Sequence, residues 1–334
     1  MEINADFYSD FIKLNLEIIN DLEDQGFQFE KYEDWKKRKG ESVINILSKK
    51  KSDMQENDLI DAYKHDLVFY FANLMERIPD YIPRKIHKCK SFTCPDKYQK
   101  GLDSLENVIR NGGDLIPYLS RQIVDARKND RMLFVLGIIH FHLGIKQINN
   151  KSLFVEGTDD ILYAFIYEQD CYFIKIDKHG HWVDTELLRL LHNDFPKVLT
   201  PWKLKDVSPG QLSDNDRKKL WNKNVITLIE INNEVYAPPG WGTSVMGTSI
   251  TARINYDRYI HYLTCLEKKL ILLLNQQREK MEADFNKKIK CMRLSLCQMD
   301  PIMIFDEENN LLIGVNSFDD EGNLSVRISK VNRS

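Results

Sequence analysis

The sequence predicts an α+β protein: an N-terminal helical region, then a mixed or antiparallel sheet, then a long helix followed by short C-terminal strands. Three observations carry this. Apolar residues recur at helical spacing through the first 80 positions. Runs of β-branched and aromatic residues with period-two stretches begin at Leu133. A charged segment with near-heptad leucines fills positions 255–290.

In FYSDFIKLNLEIINDLEDQGF, Phe7, Phe11, Leu14 and Ile18 lie three or four apart, one helical face that Gly26 ends. A second helix is expected over 59–78, ahead of Pro79 and Pro83. The stretch between them is weaker, with Gly40 as a break. Residues 79–100 are basic and irregular, a connection. Helix resumes over 101–131, where Leu115, Leu119, Ile123 and Ala126 share a face. Strands are expected at about 134–143, 160–168 and 171–178, the last two a hairpin around Gln169 and Asp170. WVDTELLRLLHNDFP reads as a helix with Asp184 as N-cap and Pro196 as stop. VITLIEINNEVYAPPG reads as a hairpin turning at Asn232 and Asn233, and GWGTSVMGTSITARI as a glycine-containing loop leading into a strand. In the long helix Ile260, Leu263, Leu266, Leu270 and Leu274 form a seam. It packs on its own domain or, alternatively, on a second copy in a homo-oligomer. Short antiparallel strands are expected over 295–330. The elements group into a helical region at 1–100, an α+β domain at 101–254, and a long helix with a C-terminal hairpin at 255–334.

Of the 334 residues, 43% are hydrophobic and 29% charged, a composition that supports a sizeable core. The formal net charge of -3 excludes strong charge-driven binding to nucleic acid as a whole-protein property. Basic runs at 36–39, 49–51 and 84–90 read as solvated surface. The six cysteines are scattered and suggest no disulfide framework. MEINADFYSDF lacks a basic n-region followed by an apolar h-region, so a secretory signal is not expected, and no run of 18 apolar residues is present. The expectation is a reducing, cytoplasmic setting with no membrane partner.

Five of the eight histidines fall between positions 140 and 192: His140, His142, His179, His181 and His192. On a strand, His140 and His142 share one face, with Phe141 and Leu143 on the other entering the core. His179 and His181 follow the second hairpin strand, so four imidazoles can converge. Imidazole titrates near neutral pH and serves as general acid or base. It also ligates zinc, and His140, His142 and His181 are the alternative zinc set. His140 to Leu143 resembles the first-strand motif of amidohydrolase-type metal hydrolases. However, Gly137, Ile138 and Ile139 stand where that family carries an acidic residue, and regular β/α alternation does not follow. A cupin pattern is excluded by the lack of a suitably spaced glutamate after His142.

The hairpin from Asp160-Ile-Leu-Tyr-Ala-Phe to Phe173-Ile-Lys-Ile-Asp-Lys-His179, after a helix at 115–129 and a strand, resembles the RelE/YoeB endoribonuclease toxins over residues 115–195. The resemblance implies a RelE-like sheet and metal-independent RNA cleavage. It also implies RNA or the ribosome as partner, and a toxin or phage-defence role. In that chemistry a 2′-hydroxyl attacks the adjacent phosphodiester. The catalytic candidates are His140, His142, His179 and His181, with His179 or His142 as general acid and another histidine as base. Lys175, Arg253 and Tyr163 are the substrate-binding candidates, and no cofactor is required. The family's arginine before the first hairpin strand is missing; Thr158, Asp159 and Asp160 stand there, and carboxylates oppose a phosphate. A second resemblance, to a group of bacterial proteins, rests on residues 137–144 (the His-x-His-Leu-Gly motif), 161–164, 179–187 and 238–249. It implies a shared fold without an activity.

Two further features are expected to be structural. His87, Cys89 and Cys94 make a His-x-Cys-x4-Cys cluster that lacks a fourth zinc ligand. The loop with Gly240, Gly242 and Gly247 has the composition of a phosphate cradle but lacks the lysine of a nucleotide-binding loop.

Overall fold

A computed structural model of the chain describes residues 1–46, 56–149, 152–180, 185–210, 212–244, 246–318 and 324–331. The protein is α+β and forms two compact units, one from residues 1–71 with 254–334 and one from residues 72–253. This division differs from three consecutive regions, because the two ends of the chain share one sheet.

In the first unit, β1 (Glu2–Ala5) runs parallel to β8 (Cys291–Met299). An antiparallel meander continues through β9 (Ile302–Asp306), β10 (Leu311–Phe318) and β11 (Leu324–Lys330). Helix α1 (Phe7–Asp24) starts where the Asp6 carboxylate accepts the Ser9 amide. Its buried stripe is Phe7, Phe11, Ile12, Asn15 and Ile19, whereas Ile18, expected on that face, is exposed. The stripe therefore follows the i, i+4, i+5 line rather than the one through Leu14 and Ile18. Helix α2 (Tyr32–Ile46) continues through Gly40 instead of breaking there. Glycine inside a helix costs about 1 kcal/mol, and tertiary anchoring by buried Trp35 and the Arg38–Glu30 ion pair offsets it. Helix α3 (Glu56–Met75) matches the expected second helix.

The long C-terminal helix is α7 (Ile250–Gln276), followed by α8 (Arg278–Asp284). It begins at Ile250, so the strand expected over ITARI is helix; the Ser249 hydroxyl caps it by accepting the Ala252 amide. Leu263, Leu266, Leu270 and Leu274 are fully buried within the single chain.

The second unit is built on a four-stranded mixed sheet in the order β2 (Lys85–Lys88), β5 (Asp170–Lys178), β4 (Asp160–Tyr167), β3 (Ile138–Phe141). Its central hairpin is as predicted, but Glu168, at positive φ, and Gln169 make the turn while Asp170 pairs with Tyr167. Strand β3 starts at Ile138 because residues Met132–Leu136 form a π-helical turn that Gly137 ends at positive φ. Leu187, Leu188 and Leu191 of α5 (Glu186–Asp194) pack with Ile138, Ile161, Tyr163 and Phe165 on one face of the sheet. Each such leucine contributes about 1.5–3 kcal/mol on burial.

Asp184, the expected cap of α5, lies outside the described residues. The small hairpin of β6 (Ile229–Ile231) and β7 (Glu234–Tyr236) follows α6 (Asp214–Asn222). It turns at Asn232 and Asn233, both at positive φ as a two-residue primed turn demands.

Two expectations fail in this unit. Strand β2 lies in the segment read as a connection and pairs in parallel with β5. The helix expected over 114–130 is absent; α4 (Gln99–Asn111) ends at Gly112, and short 3-10 turns follow at Ile116–Tyr118 and Arg121–Val124. Pro117 removes an amide there, and the Asp114 carboxylate and Ser120 hydroxyl take the Ile116 and Gln122 amides. Leu115, Leu119, Ile123 and Ala126 are nonetheless all buried. Helix α4 packs so tightly against the segment after β3 that a Cβ on Gly101 would stand 1.9 Å from the Leu143 carbonyl oxygen. Gly101→Ala is expected to destabilise the protein by about 1–3 kcal/mol despite alanine's better helix propensity, read as a lower denaturant midpoint.

Candidate histidine site

Three of the four predicted imidazoles converge at one end of the four-stranded sheet. The ring centres of His140 and His142 are 6.3 Å apart, those of His140 and His179 5.9 Å, and those of His142 and His179 5.4 Å. The fourth, His181, lies outside the described residues. Each ring is placed by a different local device.

His140 sits in β3 opposite Tyr163. Both faces of this sheet are covered, so His140 is buried rather than surface-lining, with 6% of its surface exposed. Phe141 and Leu143 enter the core as expected. His142 is the first residue past β3 and is half-buried. Its amide donates to the Tyr118 carbonyl at 2.7 Å, and its Nδ1 accepts the Thr158 amide at 3.1 Å. Thr158 is held in turn, its hydroxyl donating to the Asp160 carbonyl at 2.6 Å and accepting from the Leu143 amide at 3.2 Å. His179 follows β5 directly and is exposed. The residue before it is anchored: the Tyr163 hydroxyl donates to the Lys178 carbonyl at 2.8 Å. A bulge shifts the register from Tyr163↔Lys175 to Ala164↔Phe173, re-aiming the end of β5.

The electrostatics separate the rings. Burial, reinforced by His179, pushes His140 down to about 4. Burial also pushes His142 down to about 4, helped by His140, His179 and Arg121. Both are neutral at pH 7. A backbone amide can only donate, so Nδ1 of neutral His142 carries no proton and Nε2 carries it. His142 is thus a hydrogen-bond donor through Nε2.

A depressed histidine pKa makes stability pH-dependent in a fixed direction. Above pH 6.5 the unfolded and folded chains are both neutral at these rings. As pH falls from 6.5 toward 4 the unfolded chain takes up protons first, so stability is lost. For His140 alone the slope is about 1.4 kcal/mol per pH unit in that window. Denaturant unfolding at pH 7 and pH 5 is expected to show the loss, and His140→Gln to reduce it.

The substrate-binding candidates fare differently. Tyr163 is fully buried, and its hydroxyl donates to the Lys178 carbonyl. Lys175 stands in the same cross-strand row as His140 and Tyr163, but it pairs with Asp177 at 2.7 Å. Asp160, expected to oppose a phosphate, pairs with Lys97 at 3.2 Å. Arg253 is exposed in the first turn of α7. Thr158 bonds His142 directly and the charge of Arg121 helps to lower its pKa, and sequence reasoning missed both. Arg121 was hidden in a segment read as helix, and Thr158 had been read only as a neighbour of acidic residues.

Of the zinc set His140, His142 and His181, the last lies outside the described residues, and His142 is engaged in another way. A ligating histidine offers a bare nitrogen to the metal and usually donates its other N–H outward. At His142 the bare nitrogen is occupied by Thr158, and the other bears the proton. Among the described residues no group of three or more His, Cys, Asp or Glu is arranged to hold an ion. His87 is engaged by Asp170 at 2.7 Å and stacked on Tyr172, while Cys89 is buried. The glycine loop uses its amides internally: those of Gly240, Gly242, Ser244 and Gly247 donate to Val135, Phe134, Thr248 and Ser244 carbonyls, and that of Ser249 to Asn73 Oδ1. It is a packing loop, since a Cβ on Gly240 would lie 2.2 Å from the Leu133 carbonyl oxygen. No helix among the described residues is long and apolar enough to cross a membrane. No protein-family model, curated protein or solved structure matches the chain.

Proposed function

We propose that the imidazole cluster is a metal-independent acid–base site that cleaves RNA. The observation that carries this is the meeting of His140, His142 and His179, whose ring centres lie 5.4–6.3 Å apart. A phosphodiester transition state gains negative charge on its oxygens and needs donors aimed at them. His142 supplies an Nε2–H and Arg121 a cation. His179, at the open side, protonates the leaving 5′-oxygen, and neutral His140 takes the proton of the attacking 2′-hydroxyl. A toxin or phage-defence effector acting on RNA or ribosomes is the role such an activity serves. The six free thiols accord with a reducing, cytoplasmic setting.

One observation favours a non-catalytic binding protein instead: His140 is buried to a degree usual for a structural residue. Chelation separates the proposed chemistry from a zinc hydrolase. Purified protein incubated with RNA and with ribosomes is expected to cleave equally with and without EDTA. Stoichiometric zinc, with activity lost on chelation, overturns the proposal in favour of the hydrolase.

A further inference from the structure

On the far side of β3 from His140, the second unit holds a groove of about 470 Å³. Its apolar walls come from Met75, Ile78, Ile82, Leu133, Ile139 and Ile166. Arg84 lines it and is 6% exposed. Its Nη1 donates to the Asp80 and Ile82 carbonyls at 2.8 and 3.3 Å, and its Nε is buried with no partner. No carboxylate pairs with this guanidinium among the described residues. Arg77, also in the lining, is better compensated, since the Asn73, Gln122 and Asp125 carbonyls accept from it. A buried charge is normally paired, and a planar guanidinium with unused N–H groups matches a carboxylate.

The rim has the opposite sign. Asp80 and Glu168 line the same groove and are exposed. The backbone carbonyl of Asp80 accepts from Arg84 Nη1 at 2.8 Å, so the two residues meet at the groove. A simple organic anion meets repulsion at that rim, and a simple amine meets Arg84 on the floor. A ligand carrying both charges at one end and an apolar body satisfies all three surfaces. The volume is at the modest end for small-molecule sites.

We infer that this groove binds a free α-amino acid with an apolar side chain, its carboxylate on Arg84, its ammonium toward Asp80 and Glu168, and its side chain on the isoleucine wall. The inference is independent of the histidine chemistry.

Titration calorimetry with the full-length protein tests it, using L-leucine and L-phenylalanine, their deaminated acids 4-methylpentanoate and 3-phenylpropanoate, and their decarboxylated amines. At least one amino acid is expected to bind about tenfold or more tighter than its acid and its amine, the scale of one charge-assisted hydrogen bond. Asp80→Asn with Glu168→Gln is expected to erase the advantage over the acid without unfolding the protein, because both side chains are exposed. Arg84→Gln is expected to abolish amino-acid binding, and far-ultraviolet circular dichroism checks that it folds. The rim variant keeps the test decisive if Arg84→Gln does not fold. Absence of binding by both amino acids at 10 mM, binding of acid or amine equal to that of the amino acid, or an unchanged preference in the rim variant overturns the inference.

Discussion

Replacing His179 by alanine is expected to lower RNA cleavage by about 10²–10⁴-fold, the usual contribution of a positioned acid or base. The ring is exposed and follows the last residue of β5, so its removal leaves the hairpin register and the Tyr163–Lys178 bond in place. Thermal unfolding should be close to that of the parent protein. His142→Ala should cost activity on a similar scale, but it also leaves the Thr158 amide without its acceptor. Comparison with His142→Asn, whose side-chain oxygen can take that amide, separates the loss of the donor from the loss of the support. A His179→Ala protein that retains full cleavage, or full toxicity on expression, returns the cluster to a structural role.

The second large effect concerns stability. Leu270→Ala is expected to cost about 2–5 kcal/mol, a large share of the 5–15 kcal/mol typical of folded domains. The side chain has no exposed surface in the single chain and lies mid-seam between Leu266 and Leu274. The Phe7 amide donates to Glu267 Oε2 at 2.8 Å, and the Phe11 ring packs on Tyr259 with centres 5.1 Å apart, so α1 supports this helix. Denaturant unfolding gives the loss. Light scattering should give the same mass for parent and variant, since the seam is covered by its own chain. A change of mass with Leu270→Ala would instead identify the seam as an interface between copies.

Much of this fold was legible in the sequence because its signals are local. The β4–β5 hairpin carries alternating β-branched and aromatic residues, and the 232–233 turn carries two asparagines that tolerate positive φ. The seam of α7 shows its period directly. The misreadings came from non-local causes. Strand β2, KIHK, has one aliphatic residue and exists because β5 offers a parallel edge to it. Residues 114–130 have helical apolar spacing, yet Pro117 and the side-chain caps divert the backbone while the same apolar residues stay buried.

The site was legible to the same degree. Period-two spacing located His140 and His142, and the end of the hairpin located His179. Burial of His140 was not readable, because it depends on what covers the sheet face, which a single strand does not show. The Nδ1 contact of His142 depends on Thr158, sixteen residues away across a loop. Tyr163 looked like a binding residue in the strand pattern, but its position opposite His140 in a covered sheet puts it inside.

The most direct measurement of acid–base chemistry at this cluster is the chemistry of the new RNA ends. The purified protein is incubated with an end-labelled RNA in EDTA, and the fragments are analysed by mass. Attack by the 2′-hydroxyl, with His140 taking its proton and His179 protonating the leaving oxygen, leaves a 2′,3′-cyclic phosphate and a 5′-hydroxyl. Those ends, absent in the His179→Ala reaction, are the predicted result. Intact RNA, or fragments bearing 5′-phosphate and 3′-hydroxyl ends, would contradict it.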